Sequence, residues 1–586
     1  MPSSSLSGFA VVLVLSACSS AQPKRSAEET DLAALADRYF EQVFFKYSPT
    51  RGTAAGLHQY DSQLEDFSRS SIDAHVAALN DFQGRFENLH LPAGSPDAAA
   101  DRELLLSDIR ATLLELTTIR RWERDPDVYS SGISASAFVI MSRKFASPDE
   151  RLRSLVEREK QMPAVLDAAR QNLENPPRWY TAIALEQLPG IISFFEKDVP
   201  AAFQEAKDPD VLRAFAQANG RVVSALRAYQ QFLEKELLPR SNGDYRIGAE
   251  NFRKKLLFEE AVDLPLDHLL EVGMADLRRN QREFQRAGRQ LRPEQTQEQV
   301  LQDLGADHPP PGELLQAFRD TFGDLRRFIE ERRIVTIPSP VLPVVEETPP
   351  FMRATTIASM EPPGPFEKRA TEAFFNVTLP EPTWSRQQVE EHMAGFNRGI
   401  VISTAIHEAY PGHYVQFLWV QRAPNKVRQL LGCNSNLEGW AHYTEQMMLE
   451  EGYGRTPGVP EEKDAAFLKV RLGQLQDALL RNARYVVGIQ MHTGGMTFEQ
   501  GVEFFEKEGY LAHANALMET KRGTSDPTYL VYTLGKLQVL KLRDDYRKKM
   551  GASFRLQEFN DAFLRQGFPP VKIVRRAMLG DDSPTL

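Results

Sequence analysis

The chain has 586 residues and a formal net charge of −10, with an isoelectric point near 5.7. This acidic balance argues against nucleic acid binding through bulk electrostatics. The length exceeds what one hydrophobic core usually organises, so the sequence predicts two lobes.

The N-terminus predicts an exported lipoprotein. A short apolar run from Phe9 to Leu15 precedes Ser16, Ala17 and Cys18, which resembles a lipobox after a signal peptide at residues 1–17. Cys18 would be lipidated, and residues 18–30 would form a polar tether. Ser19 in place of Asp is similar to lipoproteins sorted to the outer membrane, on the periplasmic side. No Lys or Arg precedes the run, and the alternative is a poorly structured N-terminus.

Cysteine usage agrees with this interpretation. After lipidation of Cys18, Cys433 is the one remaining cysteine, so no intrachain disulfide can form in the mature chain.

Helical periodicity dominates the rest of the chain. Apolar residues recur at spacings of three and four residues between Leu32 and Phe44, which predicts a helix. This helix must stop before Ser48 and Pro49. The same pattern returns between Leu315 and Ile329. The basic run from Arg278 to Arg289 is interleaved with Glu and Gln at helical spacing, which predicts a solvated helix face.

Two short strands are predicted, at 334–337 and 373–378, with the proline-rich segment 338–365 between them. The fold class is therefore mainly α with a small β-sheet. The break between lobes is expected around residues 332–350, with a helical N-terminal lobe at 31–340 and a catalytic lobe at 341–586. We expect Phe375 to Thr378 to be an edge strand to which an extended substrate adds, with Asn376 in contact with it.

The segment from His407 to His413 reads His-Glu-Ala-Tyr-Pro-Gly-His, the residue types of a zinc hydrolase site. The usual zinc-protease spacing between the histidines is four, whereas here it is six, which leaves two rings about 120° apart on a regular helix. Pro411 and Gly412 could make a bulge that brings His413 back towards His407. Otherwise the two histidines are ordinary polar residues at a helix terminus.

A third ligand follows on a predicted helix. Glu438, His442 and Glu445 are spaced four and three apart on one face. Catalytic zinc commonly takes two His and one carboxylate and leaves a position open, so Glu438 would complete the set and His442 is its rival. Glu445 would orient a ligand imidazole.

These motifs resemble the bacterial domain-of-unknown-function 885 family, whose members carry His-Glu-x-x-Pro-Gly-His followed by Glu-Gly-Trp-Ala-x-Tyr-x-Glu. Further blocks resemble that family and span nearly the whole chain: 48–50, 56–61, 307–309, 347–350, 375–378 and 483–487.

The arrangement is also similar to the thimet oligopeptidase and carboxypeptidase Taq families, which implies a two-lobed helical zinc peptidase with a cleft. In the former, a metal-binding Glu precedes a second Glu by seven residues, as Glu438 precedes Glu445. Those families keep the four-residue His spacing. Dipeptidyl peptidase III resembles an intermediate case, because its motif has one residue inserted between the two histidines.

Three further residues are candidates for substrate and transition-state contacts. Arg484 and His492 lie about two helical turns apart on nearly the same face; the arginine suits a peptide carboxylate and the histidine an oxyanion. Alternatively, Arg484 pairs with a buried carboxylate. Tyr532 precedes a glycine by three residues, as in the family block, and could polarise the scissile carbonyl, although helical tyrosines are commonly core residues.

The sequence thus predicts a zinc-dependent peptidase that hydrolyses short peptides. Cleavage from the C-terminal end would follow if Arg484 holds a C-terminal carboxylate. Zinc would activate a water, Glu408 would be the general base, and Tyr532 or His492 would steady the oxyanion. The same ligands also suit manganese or cobalt. Two alternatives stay open: a zinc amidase acting on a non-peptide amide, and a catalytically silent binding lipoprotein that keeps the fold.

Overall fold

A computed structural model describes residues 27–91, 94–349, 352–353 and 356–586 of the chain. The predicted signal peptide and the Cys18 lipidation site lie outside the described residues. About 70% of the chain is helical and a small three-stranded sheet is present, so the prediction of a mainly α fold with a small sheet is confirmed. Among the described residues, no helix is long and apolar enough to cross a membrane.

The helices of the first half, to Arg332, are α1 (Ala27–Tyr39), α2 (Phe45–Tyr47), α3 (Pro49–Ala54), α4 (Arg69–Glu87), α5 (Pro96–Leu114), α6 (Arg121–Arg124), α7 (Asp127–Met141), α8 (Pro148–Asn172), α9 (Arg178–Ser193), α10 (Val199–Ala202), α11 (Pro209–Phe232), α12 (Ala249–Glu260), α13 (Leu266–Leu291), α14 (Gln297–Ala306) and α15 (Leu314–Arg332). The predicted helical stop before Pro49 and the predicted helix through Leu315 to Ile329 are confirmed.

Three strands follow, and then the remaining helices: β1 (Val344–Glu347), β2 (Ala358–Glu361), β3 (Phe374–Val377), α16 (Arg386–Ala394), α17 (Arg398–Glu408), α18 (His413–Val420), α19 (Lys426–Leu430), α20 (Asn434–Glu450), α21 (Ala465–Thr493), α22 (Phe498–Lys507), α23 (His513–Ser525), α24 (Val531–Met550), α25 (Leu556–Leu564) and α26 (Val571–Leu579).

The sheet corrects two predictions. Its strand order is β1-β3-β2, with β1 parallel and β2 antiparallel to β3. The predicted edge segment 375–378 is therefore central, because strands from the proline-rich segment flank it on both sides. The predicted strand at 334–337 is wrong, because its backbone bonds to side chains: Asn560 donates to the Ile334 carbonyl oxygen at 2.8 Å, and Asp561 accepts from the Thr336 N–H at 2.8 Å.

Five of these helices (α17, α18, α20, α21 and α24) and β2 position the candidate site. Helix α17 contacts α20, α21 and β2, and α20 packs along α24. The α20–α24 crossing is close because glycines face each other there: a Cβ on Gly439 would lie 2.4 Å from the Cα of Gly535, and one on Gly535 would lie 1.8 Å from the Ser435 carbonyl oxygen. This contact brings Glu438 on α20 beside the start of α24, where Tyr532 lies.

Candidate metal centre

A break between two helices accommodates the six-residue histidine spacing. Helix α17 ends at Glu408 and α18 begins at His413, so the chain makes a turn where we predicted a bulge within one helix. The Gly412 N–H donates to the Ile406 carbonyl oxygen at 2.9 Å. A Cβ on Gly412 would lie 1.8 Å from the His407 carbonyl oxygen, so the turn requires glycine at this position.

The turn brings the two predicted histidine ligands together with the predicted carboxylate. The rings of His407 and His413 are 4.8 Å apart and nearly perpendicular. Each Nε2 lies 3.3 Å from Glu438 Oε2, and one ligand atom from each of the three residues lies within 4.8 Å of the others. Both histidines are buried, whereas the Glu438 side chain is 21% exposed.

This geometry fits a zinc ion. Ligand atoms held tetrahedrally at 2.0–2.1 Å from zinc are about 3.3 Å apart, which is the separation between Glu438 Oε2 and each Nε2. Glu438 Oε2 is inaccessible to solvent and makes no hydrogen bond within the described residues, although two imidazole nitrogens lie close to it. An unbonded buried oxygen facing two nitrogens suits a shared cation better than a hydrogen-bond network.

Glu445 holds the far side of His407. It is fully buried, its Oε1 accepts from His407 Nδ1 at 2.7 Å, and its Oε2 lies 3.0 Å from His442 Nδ1. Arg481 Nη2 lies 3.3 Å from Glu445 Oε1. The structure thus places Glu445 where the sequence predicted an orienting carboxylate, and His442 lies behind Glu445, outside the three-residue cluster.

The pKa values describe a centre that attracts cations. Burial alone would raise the pKa of Glu445, but Arg481 and the two histidines bring it well below its usual value. Burial and Arg481 oppose protonation of His407, yet the neighbouring Glu438 and Glu445 carboxylates raise its pKa to about 9. Two carboxylates therefore favour a positive charge at His407, which either a proton or a metal ion can supply.

Two candidates for proton transfer and oxyanion contact are neighbours of the cluster residues. Glu408 directly follows His407, is buried, and its Oε2 has no hydrogen-bond partner within the described residues. The pKa of Tyr532 is raised, first by burial and then by the nearby Glu438 carboxylate. The guanidinium groups of Arg481 and Arg484 lie over the Tyr532 ring, 5.6 and 5.1 Å from its centroid.

The structure does not bring every predicted residue to the cluster. His492 is fully buried, and its Nε2 lies 2.7 Å from the Gly523 carbonyl oxygen, about 16 Å further along α21 than Arg481; burial lowers its pKa to about 4. Arg484 forms two hydrogen bonds of 2.7 Å with buried Glu519, which is the structural alternative stated above. Asn376 is buried in β3 and lines the cavity described next.

A cavity of about 1330 Å³ lies next to this centre and reaches the N-terminal helices; neighbours of His407, His413 and Glu438 line it, but these three residues do not. Three of its lining residues adjoin the cluster: Phe417, whose ring stacks on His413; Leu437, which precedes Glu438; and Arg522, which donates to the Tyr532 hydroxyl at 3.4 Å. At the other end, helices α1, α5 and α7 line it, and β2 borders it. The cavity therefore offers space for a ligand next to the three-residue cluster.

Comparison with known proteins identifies the family. The sequence pattern of a family described as "Bacterial protein of unknown function (DUF885)" matches residues 49–578. The chain belongs to the DUF885 family. No curated protein matches the sequence.

Two solved structures are similar to this DUF885 protein over nearly its whole length. One, from Shewanella oneidensis, is described as a "putative lipoprotein of unknown function"; it is 25% identical, with a TM-score of 0.75, and the match covers 95% of this chain and 100% of the other. The second, a "putative lipoprotein" from Colwellia psychrerythraea, is 18% identical, with a TM-score of 0.77 and coverage of 94% and 98%. The latter likeness shows the shared fold alone.

Sequence reasoning missed two arginines of the DUF885 site. Arg481 contacts both His407 and Glu445, and Arg522 contacts Tyr532. One signal for Arg481 was present: it lies one helical turn before Arg484 in a helix that is otherwise largely apolar and buried. Arg522 gave no such signal, because its partner Tyr532 lies on another helix, ten residues further along the chain.

Proposed function

We propose that this DUF885 protein is a lipid-anchored, zinc-dependent peptidase that hydrolyses short peptides. One observation carries the proposal: the Nε2 atoms of His407 and His413 each lie 3.3 Å from Glu438 Oε2, a zinc-like separation. Next to them in the chain is Glu408, whose Oε2 has no hydrogen-bond partner within the described residues, and neighbours of the cluster line a cavity of about 1330 Å³.

The roles follow from the placement of each side chain. His407, His413 and Glu438 would hold the ion, and zinc bound there would supply a Lewis acid that polarises a carbonyl and makes water a nucleophile near neutral pH. Glu408 accepts the proton of the attacking water and delivers it to the leaving amine. Tyr532 donates a hydrogen bond to the developing oxyanion.

The free edge of β2 offers a place for an extended substrate. The Thr378 N–H donates to the Ile357 carbonyl oxygen at 2.9 Å, and hydrogen-bonded pairs alternate along an antiparallel ladder. With Ala358 opposite Val377 and Met360 opposite Phe375, the backbone groups of Ala358 and Met360 point away from β3. Because β2 contacts α17 and borders the cavity, a peptide added there would lie near the cluster.

Two observations support the proposed lipid anchor. The sequence carries the lipobox-like segment ending at Cys18, and both similar structures are described as those of "putative" lipoproteins. We place the mature protein on the periplasmic side of the outer membrane, tethered through Cys18.

Metal content and turnover test the proposal together. Purified without chelator or metal-binding tag, the wild type is expected to contain one equivalent of zinc, and His413→Ala and Glu438→Ala are expected to lose it. Glu408→Gln is expected to keep the metal and lose hydrolysis of a mixed peptide library, because the proton acceptor is gone. Wild-type protein that binds no metal when zinc is offered and cleaves no peptide would instead favour a silent binding lipoprotein.

A further inference from the structure

Three arginines surround Tyr532, and they differ in what they can still bind. Arg484 is occupied by Glu519 through two hydrogen bonds of 2.7 Å. Arg481 is 11% exposed and lies between Glu445 and Asp477. Arg522 is 32% exposed and lines the cavity. Only the last has a guanidinium that faces space large enough for a ligand.

The existing contacts of Arg522 are weak. Its Nη2 donates to the Tyr532 hydroxyl at 3.4 Å and to Asp526 Oδ2 at 3.3 Å. The Asp526 side chain is 40% exposed, so this ion pair is solvated and contributes little. No hydrogen bond of its Nη1 or Nε is found within the described residues, and both contacts of Nη2 are long. The guanidinium can therefore present Nη2 together with Nη1 or Nε to a carboxylate.

The other charges near Arg522 on this wall are paired. Lys521 also lines the cavity, and its Nζ lies 2.7 Å from Glu186. The other carboxylate near Arg522, Glu519, is neutralised by Arg484. Arg522, whose partner Asp526 is itself 40% exposed, is therefore the cation of this wall that is left for an anion.

We infer that Arg522 binds the C-terminal carboxylate of the peptide substrate, which makes this protein a carboxypeptidase that removes one or two residues; the inference rests on the proposed function. The Tyr532 hydroxyl accepts a hydrogen bond from Arg522. Tyr532 lies one helical turn before Gly535, which packs against Gly439, the neighbour of Glu438. A carboxylate on Arg522 thus sits within one or two residues of a carbonyl at the cluster, since an extended residue spans about 3.5 Å. Arg522 replaces Arg484, predicted from the sequence, as the specificity-determining residue.

Binding to metal-free protein tests the inference without hydrolysis. The probes are one dansyl-labelled tetrapeptide with a free C-terminal carboxylate and the same peptide as its C-terminal amide, titrated by fluorescence anisotropy. We expect wild type to bind the acid about 30-fold more tightly than the amide, in line with a charge-assisted bidentate contact. Arg522→Gln should bind both equally, and Arg522→Lys should keep part of the preference.

Two control variants separate recognition from folding. Arg51→Gln removes another cavity-lining arginine, on α3, and should keep the full preference. Arg484→Gln leaves Glu519 buried without its partner and should lower the melting temperature, whereas Arg522→Gln should not. Equal binding of acid and amide by wild type, no binding of either, or a preference that survives in Arg522→Gln would overturn the inference.

Turnover distinguishes this inference from the proposed function. With zinc added, mass spectrometry should detect products shortened from the C-terminus of the acid only. Equal cleavage of acid and amide would support the proposed peptidase activity but refute the binding of the C-terminal carboxylate by Arg522. If the protein binds the acid preferentially but holds no metal and cleaves neither peptide, the role of Arg522 is supported and the proposed peptidase activity is refuted.

Discussion

Glu445 has no exposure to solvent, and each of its oxygens faces a histidine. Glu445→Gln keeps the shape of the side chain but removes its negative charge, so Arg481 stays buried with less compensating charge. This should lower the free energy of unfolding by about 3 kcal/mol. It should also weaken zinc binding about 10- to 100-fold, because His407 loses its orienting carboxylate. Thermal unfolding and competition with a zinc chelator measure the two effects.

Glu450→Gln is the matched control for that change. Glu450 lies on the same helix, but its side chain is 41% exposed and pairs with Arg543, so its loss should cost less than about 1 kcal/mol. Equal stability and zinc affinity in Glu445→Gln and wild type would contradict the orienting role.

Glu159 predicts a pH dependence of stability away from the metal centre. It is fully buried on α8, and neither carboxylate oxygen has a hydrogen-bond partner within the described residues. Burial raises its pKa to about 9. Below pH 4.5 both the folded and unfolded states are protonated and stability is unaffected, whereas between 4.5 and 9 the unfolded state loses its proton first, so stability falls as pH rises.

Glu159→Gln removes this loss. At pH 7 the variant should be more stable than wild type by about 3 kcal/mol, and the gain should vanish near pH 4.5. Melting temperatures across this range measure it, with Glu157→Gln, a side chain 53% exposed on the same helix, as the control. A pH-independent difference between Glu159→Gln and wild type would show that ionisation of Glu159 is not the cause.

At the scale of elements, the α20–α24 crossing depends on glycine. A Cβ on Gly535 would meet the Ser435 carbonyl oxygen at 1.8 Å, so Gly535→Ala must push the helices apart and move Tyr532 from Glu438. We expect the free energy of unfolding to fall by more than about 2 kcal/mol and turnover to be reduced. Gly323→Ala, in α15 with open space around its Cβ, should instead stabilise by about 0.5–1 kcal/mol; a stable, active Gly535→Ala protein would refute the argument.

The edge of β2 gives a prediction about the substrate. If a peptide pairs with Ala358 and Met360, its own N–H groups bond at every second residue. Methylating those nitrogens one at a time should weaken binding about fivefold at alternate positions and leave the others unchanged, because each lost hydrogen bond contributes about 1 kcal/mol. A uniform effect along the peptide would exclude strand addition.

The sequence predicted the helices and the spacing of residues within one helix, but it did not predict every contact between elements. Helices carried a strong periodic signal, and the spacing of Glu438 and Glu445 placed them on one face of α20. The strand predicted at 334–337 failed because an apolar segment can bury itself as coil when side chains such as Asn560 bond its backbone. The Arg522–Tyr532 contact joins two helices by packing, which no local pattern records.

At the scale of the whole molecule, the two halves of the chain share their cores. One buried cluster contains residues of α4 and α5 together with Val427, Leu431 and Ile573. Another joins Leu114 and Ile119 to α21 and α24. Ion pairs also cross the predicted boundary at residue 340, including that of Asp101 with Arg428.

A fragment of residues 341–586 should therefore not fold alone. Removing residues 31–340 would expose the apolar faces of α19, α21, α24 and α26 that these clusters bury, and would leave Arg428 without its buried carboxylate. We expect the isolated fragment to melt without cooperativity and to bind zinc weakly, and co-expression with residues 31–340 to restore both properties. The full chain should unfold in one transition whose midpoint rises with added zinc, because the proposed zinc site exists only in the folded state. A cooperative melt of the fragment alone would instead establish it as an independent catalytic lobe.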